Sequence, residues 1–175
     1  MTSPRTYAEW LPLLDRFAEG DDTVVSLLSG GRIEWTNVVA ERWTRQVSAC
    51  LSVRLQALSK QLQSGLDRAR GDRFAISNAI IIARRGLVPL RAFVSVPAYP
   101  SEVQAYLLSE LDRWVSESQK SLEKHAEGIR HDQGLLLKAI RDNPLSAPTE
   151  APAPIPIRET GDAVTSLTRG RRIIL

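Results

Sequence analysis

Apolar residues recur along most of this chain at steps of three and four, the spacing that stacks side chains on one face of an α-helix. Tyr7, Trp10, Leu11, Leu14 and Phe17 form the first such row and predict a helix over residues 4–18. Gly20-Asp21-Asp22 ends it and offers Asp22 or Thr23 as a fresh N-cap. Residues 23–28 fit either a short helix closed by Gly30-Gly31 or one arm of a hairpin with residues 32–35. The helix is preferred, because nothing nearby would extend a sheet.

The longest row runs through Val39, Trp43, Val47, Leu51, Leu55, Leu58, Leu62, Leu66 and Ala69. It predicts one helix over residues 36–70, about 50 Å long at ~1.5 Å per residue. Gly71 closes it and Asp72 caps the next. Residues 74–93 are the most apolar stretch, and Ile80-Ile81-Ile82 points to a helix buried on several sides. Arg84-Arg85-Gly86 and Pro89 predict a kink or break near residue 86.

The prolines at 97 and 100 make residues 94–100 an extended connection. Ser101 then reads as an N-cap, with Gln104 completing a capping box. The helix that follows is expected to reach Arg141, on a face of Val103, Leu107, Leu111, Trp114, Ser118, Leu122, Ala126, Ile129, Leu136 and Ile140. Its middle is polar, and Gly128 and Gly134 each cost about 1 kcal/mol relative to Ala in a helix interior. A helix with such a waist either protrudes or meets a partner there.

These rows define an all-α fold: a helical bundle of four to five helices with two long antiparallel helices, 36–70 and 101–141, and the 74–93 helix against them. No unit of about 30–45 residues returns, which argues against a solenoid. The helical body is expected over residues 1–143. A Pro/Ala-rich linker follows over 144–163, where five prolines between Pro144 and Pro156 disfavour helix. Residues 164–175 form a C-terminal peptide.

Charge narrows the function classes. The net charge is +3, with 19 Lys+Arg against 17 Asp+Glu in residues 1–143 and 4 against 3 beyond. No basic half exists, so a nucleic-acid role is the alternative and not the leading expectation. Its candidate residues are Arg68, Arg70, Arg84, Arg85 and the tail arginines, although Asp67 and Asp72 are interleaved with the first of them. The single cysteine, Cys50, excludes an intramolecular disulfide and reads as a small buried residue. The N-terminus lacks a signal-peptide core, and the run 75–83 is too short to span a bilayer, so a cytoplasmic protein with no membrane span is expected.

No motif for catalysis stands up. The two histidines, His125 and His131, are six apart and lie off a common face, and Glu127 with His131 finds no third ligand. Neither a nucleophile elbow nor a glycine-rich phosphate loop is present. A non-enzymatic protein with no metal and no cofactor is therefore expected. Trp10, Trp35, Trp43 and Trp114 all fall at apolar-face positions, where core packing is the preferred role.

The C-terminal peptide carries the partner-binding candidates. Leu167, Ile173, Ile174 and Leu175 can fill pockets, and Arg169, Arg171 and Arg172 can meet an acidic rim. A tethered peptide of this kind gains effective concentration at a neighbouring surface. The expected function is a protein-interaction or assembly subunit, docking to other protein chains or to itself through two rigid helical surfaces, the apolar 74–93 helix and the polar-waisted 101–141 helix, and through this peptide. Ser166-Leu167-Thr168, with Gly170 after a Pro-rich linker, also resembles the C-terminal loading peptides of encapsulin cargo proteins. Those peptides usually place an aliphatic residue where Arg169 stands and a Ser-Leu-like pair where Arg171-Arg172 stand. The resemblance implies a cargo role as a further alternative.

Overall fold

The computed structural model describes residues 3–33, 37–128 and 133–147. Six helices and no strand occur among them: α1 (Tyr7–Ala18), α2 (Val24–Ser29), α3 (Asn37–Ala69), α4 (Arg73–Val94), α5 (Ser101–Glu127) and α6 (Gln133–Asp142). The fold is an all-α bundle.

Local chemistry places most of the helix ends. The Glu9 carboxylate accepts hydrogen bonds from the backbone N–H of Arg5 (2.7 Å) and Thr6 (3.2 Å), which hold its pKa below the ordinary carboxylate value and fix the first turn of α1. Arg70 (φ 47°) and Gly71 (φ 87°) both enter the left-handed region and reverse the chain. The Asp72 carboxylate then accepts from Phe74 N–H at 2.9 Å, which starts α4.

Residue pairs fix the topology. Cβ atoms added to Gly65 and Gly86 would stand 2.9 Å from Ala79 and 2.6 Å from Leu58, so α3 and α4 run antiparallel in close contact. Trp43 meets Tyr99 with ring centroids 5.2 Å apart, and Trp114 Nε1 donates to the Ser59 hydroxyl at 2.7 Å, so α5 runs parallel to α3. The long antiparallel pair is thus α3 with α4. Two long helices joined by a third must point the same way, and for that reason the expected antiparallel pairing of 36–70 with 101–141 does not occur.

Helix α5 also stops earlier than expected. It ends at Glu127 with Gly128 as C-cap, and α6 returns along it, with Gln119 Nε2 donating to Ile140 C=O at 3.5 Å and Gln119 Oε1 accepting from Leu145 N–H at 3.1 Å. Folding back buries Leu136 and Ile140, which a straight helix beyond the polar waist would have left outside the bundle. Helix α4, by contrast, runs unbroken through Gly86 and Pro89. Burial of Ala83, Leu87 and Leu90 on both sides of those residues outweighs their local preference. Ser101 is the first helical residue and Pro100 the N-cap, so Gln104 is free to donate to Val96 C=O at 2.7 Å.

The core is one continuous cluster. Every residue of the long α3 row from Trp43 to Ala69 is buried. Its densest part lies where α1 crosses the start of α3 and the end of α4. There Phe17 stacks on Phe93 at 4.1 Å between centroids, and Trp10, Trp43 and Tyr99 meet edge-on or tilted. Cys50 is buried beside this cluster, as its neighbours predict.

Candidate functional site

The site begins with the composition of α4. Its 22 residues include Arg73, Arg84, Arg85 and Arg91, and no Asp or Glu. One side of the helix buries Ile76, Ala79, Ile80, Ala83, Leu87 and Leu90. The opposite side stays apolar as well: Phe74 is 71% exposed, Ile81 42% and Val88 50%. These three stand seven residues apart, two helical turns each, so they form a single stripe along the helix. Arg85 lies in the same stripe, one turn from both Ile81 and Val88. Isolated exposed apolar residues need no explanation, but an aligned row of them does.

A groove of about 210 Å³ opens beside Ile81. Ser77, Ile80, Ile81 and Arg84 line it from α4, and Leu136, Ala139, Ile140 and Asn143 from α6. The chain leaving α6 straps this side of α4. Arg84 donates through Nε (3.0 Å) and Nη2 (2.7 Å) to Pro144 C=O, Arg91 Nη2 donates to Ser146 C=O at 3.1 Å, and Leu145 between them is fully buried. Carbonyls orient a guanidinium without neutralising it. At the other end of the stripe the Arg73 guanidinium lies 4.8 Å from the centre of the Phe74 ring.

Outside α4, five of the arginines are matched by acids. Among the described residues, ion pairs join Arg16 to Asp21, Arg45 to Glu41, Arg54 to Asp22, Arg113 to Glu110 and Arg141 to Glu123. None involves α4. The α4 face is therefore an apolar row interrupted by Arg85 and bordered by Arg84 and Arg91, with no ion pair among the described residues.

Other residues singled out by the sequence fall differently. Arg68 donates to its own helix at Ser64 C=O, and Asp72 is occupied as a cap. Arg70, just before α4, and Arg84 within it are fourteen residues apart, and the α4 stretch from Arg73 to Arg84 alone spans about 16 Å, so Arg68 and Arg70 do not converge with Arg84 and Arg85 on one point. Trp10 and Trp43 are core, while Trp114 is half-buried with its N–H on Ser59. Trp35, His131 and the partner-binding candidates Leu167, Arg169, Arg171, Arg172, Ile173, Ile174 and Leu175 lie outside the described residues, as do the residues of the loading-peptide resemblance. No group of three or more His, Cys, Asp or Glu that could hold a metal occurs among the described residues. Among these residues, too, no helix is long and apolar enough to cross a membrane.

The sequence marks the 74–93 helix as a docking surface, but not which of its rows is exposed. In a helix this apolar, buried and exposed rows look alike, and only the packing of α3, α5 and α6 tells them apart. The signal that was present is the absence of any acid over residues 73–94. Comparison with known proteins gives no match: no family model, no curated protein and no solved structure matches the chain.

Proposed function

We propose that this chain is a non-enzymatic interaction or assembly subunit that docks other protein chains on the α4 face and through its C-terminal peptide, residues 164–175. The observation that carries the reading is the Phe74–Ile81–Val88 stripe, exposed on a helix whose four arginines have no acidic partner among the described residues. Burying apolar surface supplies the driving force of most protein association, and flanking charge selects the partner. A cytoplasmic setting accords with the lone, buried, free Cys50.

The test is affinity capture with three proteins: the full chain, a chain ending at Ala147, and the full chain carrying Ile81→Glu. Loss of a captured protein with Ile81→Glu assigns it to the α4 face, and loss on truncation assigns it to the C-terminal peptide. Capture of the same proteins in equal amounts by all three would overturn the reading. The nucleic-acid alternative draws on the same arginines and is separated by salt. Phosphate contacts weaken steeply and linearly in log–log form as salt rises, whereas an apolar contact does not.

A further inference from the structure

We infer that the occupant of the α4 face is an acidic amphipathic helix of a partner protein, lying along Phe74, Ile81 and Val88 with one bulky apolar side chain in the groove beside Ile81. The inference rests on the docking reading above and names the chemistry of the partner.

Length, volume and charge each support it. Phe74 to Val88 covers about 21 Å of helix, and ridges repeating every seven residues match the i, i+3/i+4, i+7 anchors of helix-in-groove recognition. The groove between α4 and α6 holds about 210 Å³. A cavity of roughly 150 Å³ already accepts a benzene ring, so a Leu or Phe side chain fits this one. Arg85 in the stripe, Arg84 at the groove and Arg73 and Arg91 beyond them give the face four cations and no anion of its own. Glutamates flanking the apolar row of a partner helix would meet them.

The same charge excludes the nearest competitor. Residues 164–175 of this chain carry Arg169, Arg171 and Arg172 and no acid, so seating them on α4 would bring like charges together. A lipid surface fits less well on shape, since a flat interface would leave the concavity between Ile81 and Leu136 unfilled.

The test uses the full chain and two labelled synthetic helices of about 18 residues, long enough to cover the stripe. Both carry Leu at alternating steps of three and four; one has Glu on its flanks, the other Lys at the same places. By fluorescence anisotropy the Glu helix should bind at least about tenfold more tightly than the Lys helix. Ile81→Glu should abolish that binding, and Arg85→Glu should weaken it about tenfold while raising affinity for the Lys helix. Both positions are exposed, so the folded state should survive, and Phe74→Ala provides a milder variant with the same direction of effect.

Equal affinity for the two helices would overturn the inference, and so would indifference of the Glu helix to all three variants. Binding to phosphatidylserine-containing vesicles that is lost in Ile81→Glu would assign the face to a membrane instead. Dimerisation of the chain abolished by the same substitution would assign it to a second copy. If neither helix binds but Ile81→Glu still loses captured proteins, the acidic-helix assignment falls and the docking reading stands. If that variant also captures everything the original does, both fall.

Discussion

Arg84 and Pro144 lie sixty positions apart in the chain, and two guanidinium hydrogen bonds, of 3.0 and 2.7 Å, converge from the first on the carbonyl oxygen of the second. This contact fastens the chain after α6 to the middle of α4 and closes the groove at one end.

Replacing Arg84 by Met keeps much of the stem but removes both bonds. Stability should fall by about 1.5–3 kcal/mol, the usual range for hydrogen bonds to a charged group. Hydrogen exchange should accelerate in residues 133–147 and change little in α3. Uniform acceleration across all helices would show that the strap is not a separately opening unit.

Two glycines on the α3–α4 contact should respond differently to alanine. At Gly65 the new Cβ would stand 2.9 Å from Ala79 Cβ, an atom that cannot swing aside. At Gly86 the neighbour, at 2.6 Å, is the terminal methyl of Leu58, which can rotate. Gly65→Ala should therefore destabilise by about 1–2 kcal/mol, overpacking exceeding the gain in helix propensity. Gly86→Ala should lie within about 1 kcal/mol of neutral. Urea unfolding of both variants decides it, and a reversed order would mean that α3 and α4 separate more readily than Leu58 moves.

The Tyr99 hydroxyl is buried and has no hydrogen-bond partner among the described residues, and burial raises its pKa well above the ordinary phenol value. Tyr99→Phe removes that polar atom and keeps the ring against Trp10, Trp43 and Phe93. Stability should rise by about 1 kcal/mol, read as a higher midpoint of thermal unfolding. A loss of stability would reveal a hydrogen bond that the hydroxyl makes.

Burial, with a smaller contribution from the Asp15 charge, pushes the Cys50 thiol up from 9.0 to about 11. The unfolded chain then loses the thiol proton at lower pH than the folded chain. Stability is complete below pH 9 and falls as pH rises toward 11, by about 2–3 kcal/mol in all. Cys50→Ala should flatten the first part of this fall, before Tyr99 contributes in the same direction. At pH 8 the native thiol should react with a disulfide reagent far more slowly than the unfolded one.

Helix positions were readable in the sequence wherever a three-four row met a clear stop. The α3 row from Trp43 to Ala69 is buried residue for residue, and Asp72 caps α4 where the Gly71-Asp72 pair predicts. What could not be read was relational. Gly128, Gly134 and the polar middle mark a weak point within residues 101–141, but not that α6 returns along α5, because Leu136 and Ile140 have the same spacing in a straight helix as in a returned one. The direction of α5 relative to α3 likewise depends on α4 intervening. That the 74–93 helix offers a docking surface was legible, but which row faces out was not, since Phe74, Ile81 and Val88 differ from Ile76, Ala83 and Leu90 only in what lies next to them. The C-terminal candidates stand where the sequence left them, outside the described residues.

The groove has one wall from α4 and the other from α6, and the contact holding those walls together joins two distant parts of the chain. Contacts so separated in sequence carry a larger loop-closure cost than the α3–α4 hairpin, whose two helices follow one another directly. A chain that has formed only the hairpin displays Phe74 and Ile81 but has no groove beside them. Recognition at this face would thus act as a test of maturity, in which a partner that needs both walls passes over unfinished molecules and joins only those whose α6 has come home.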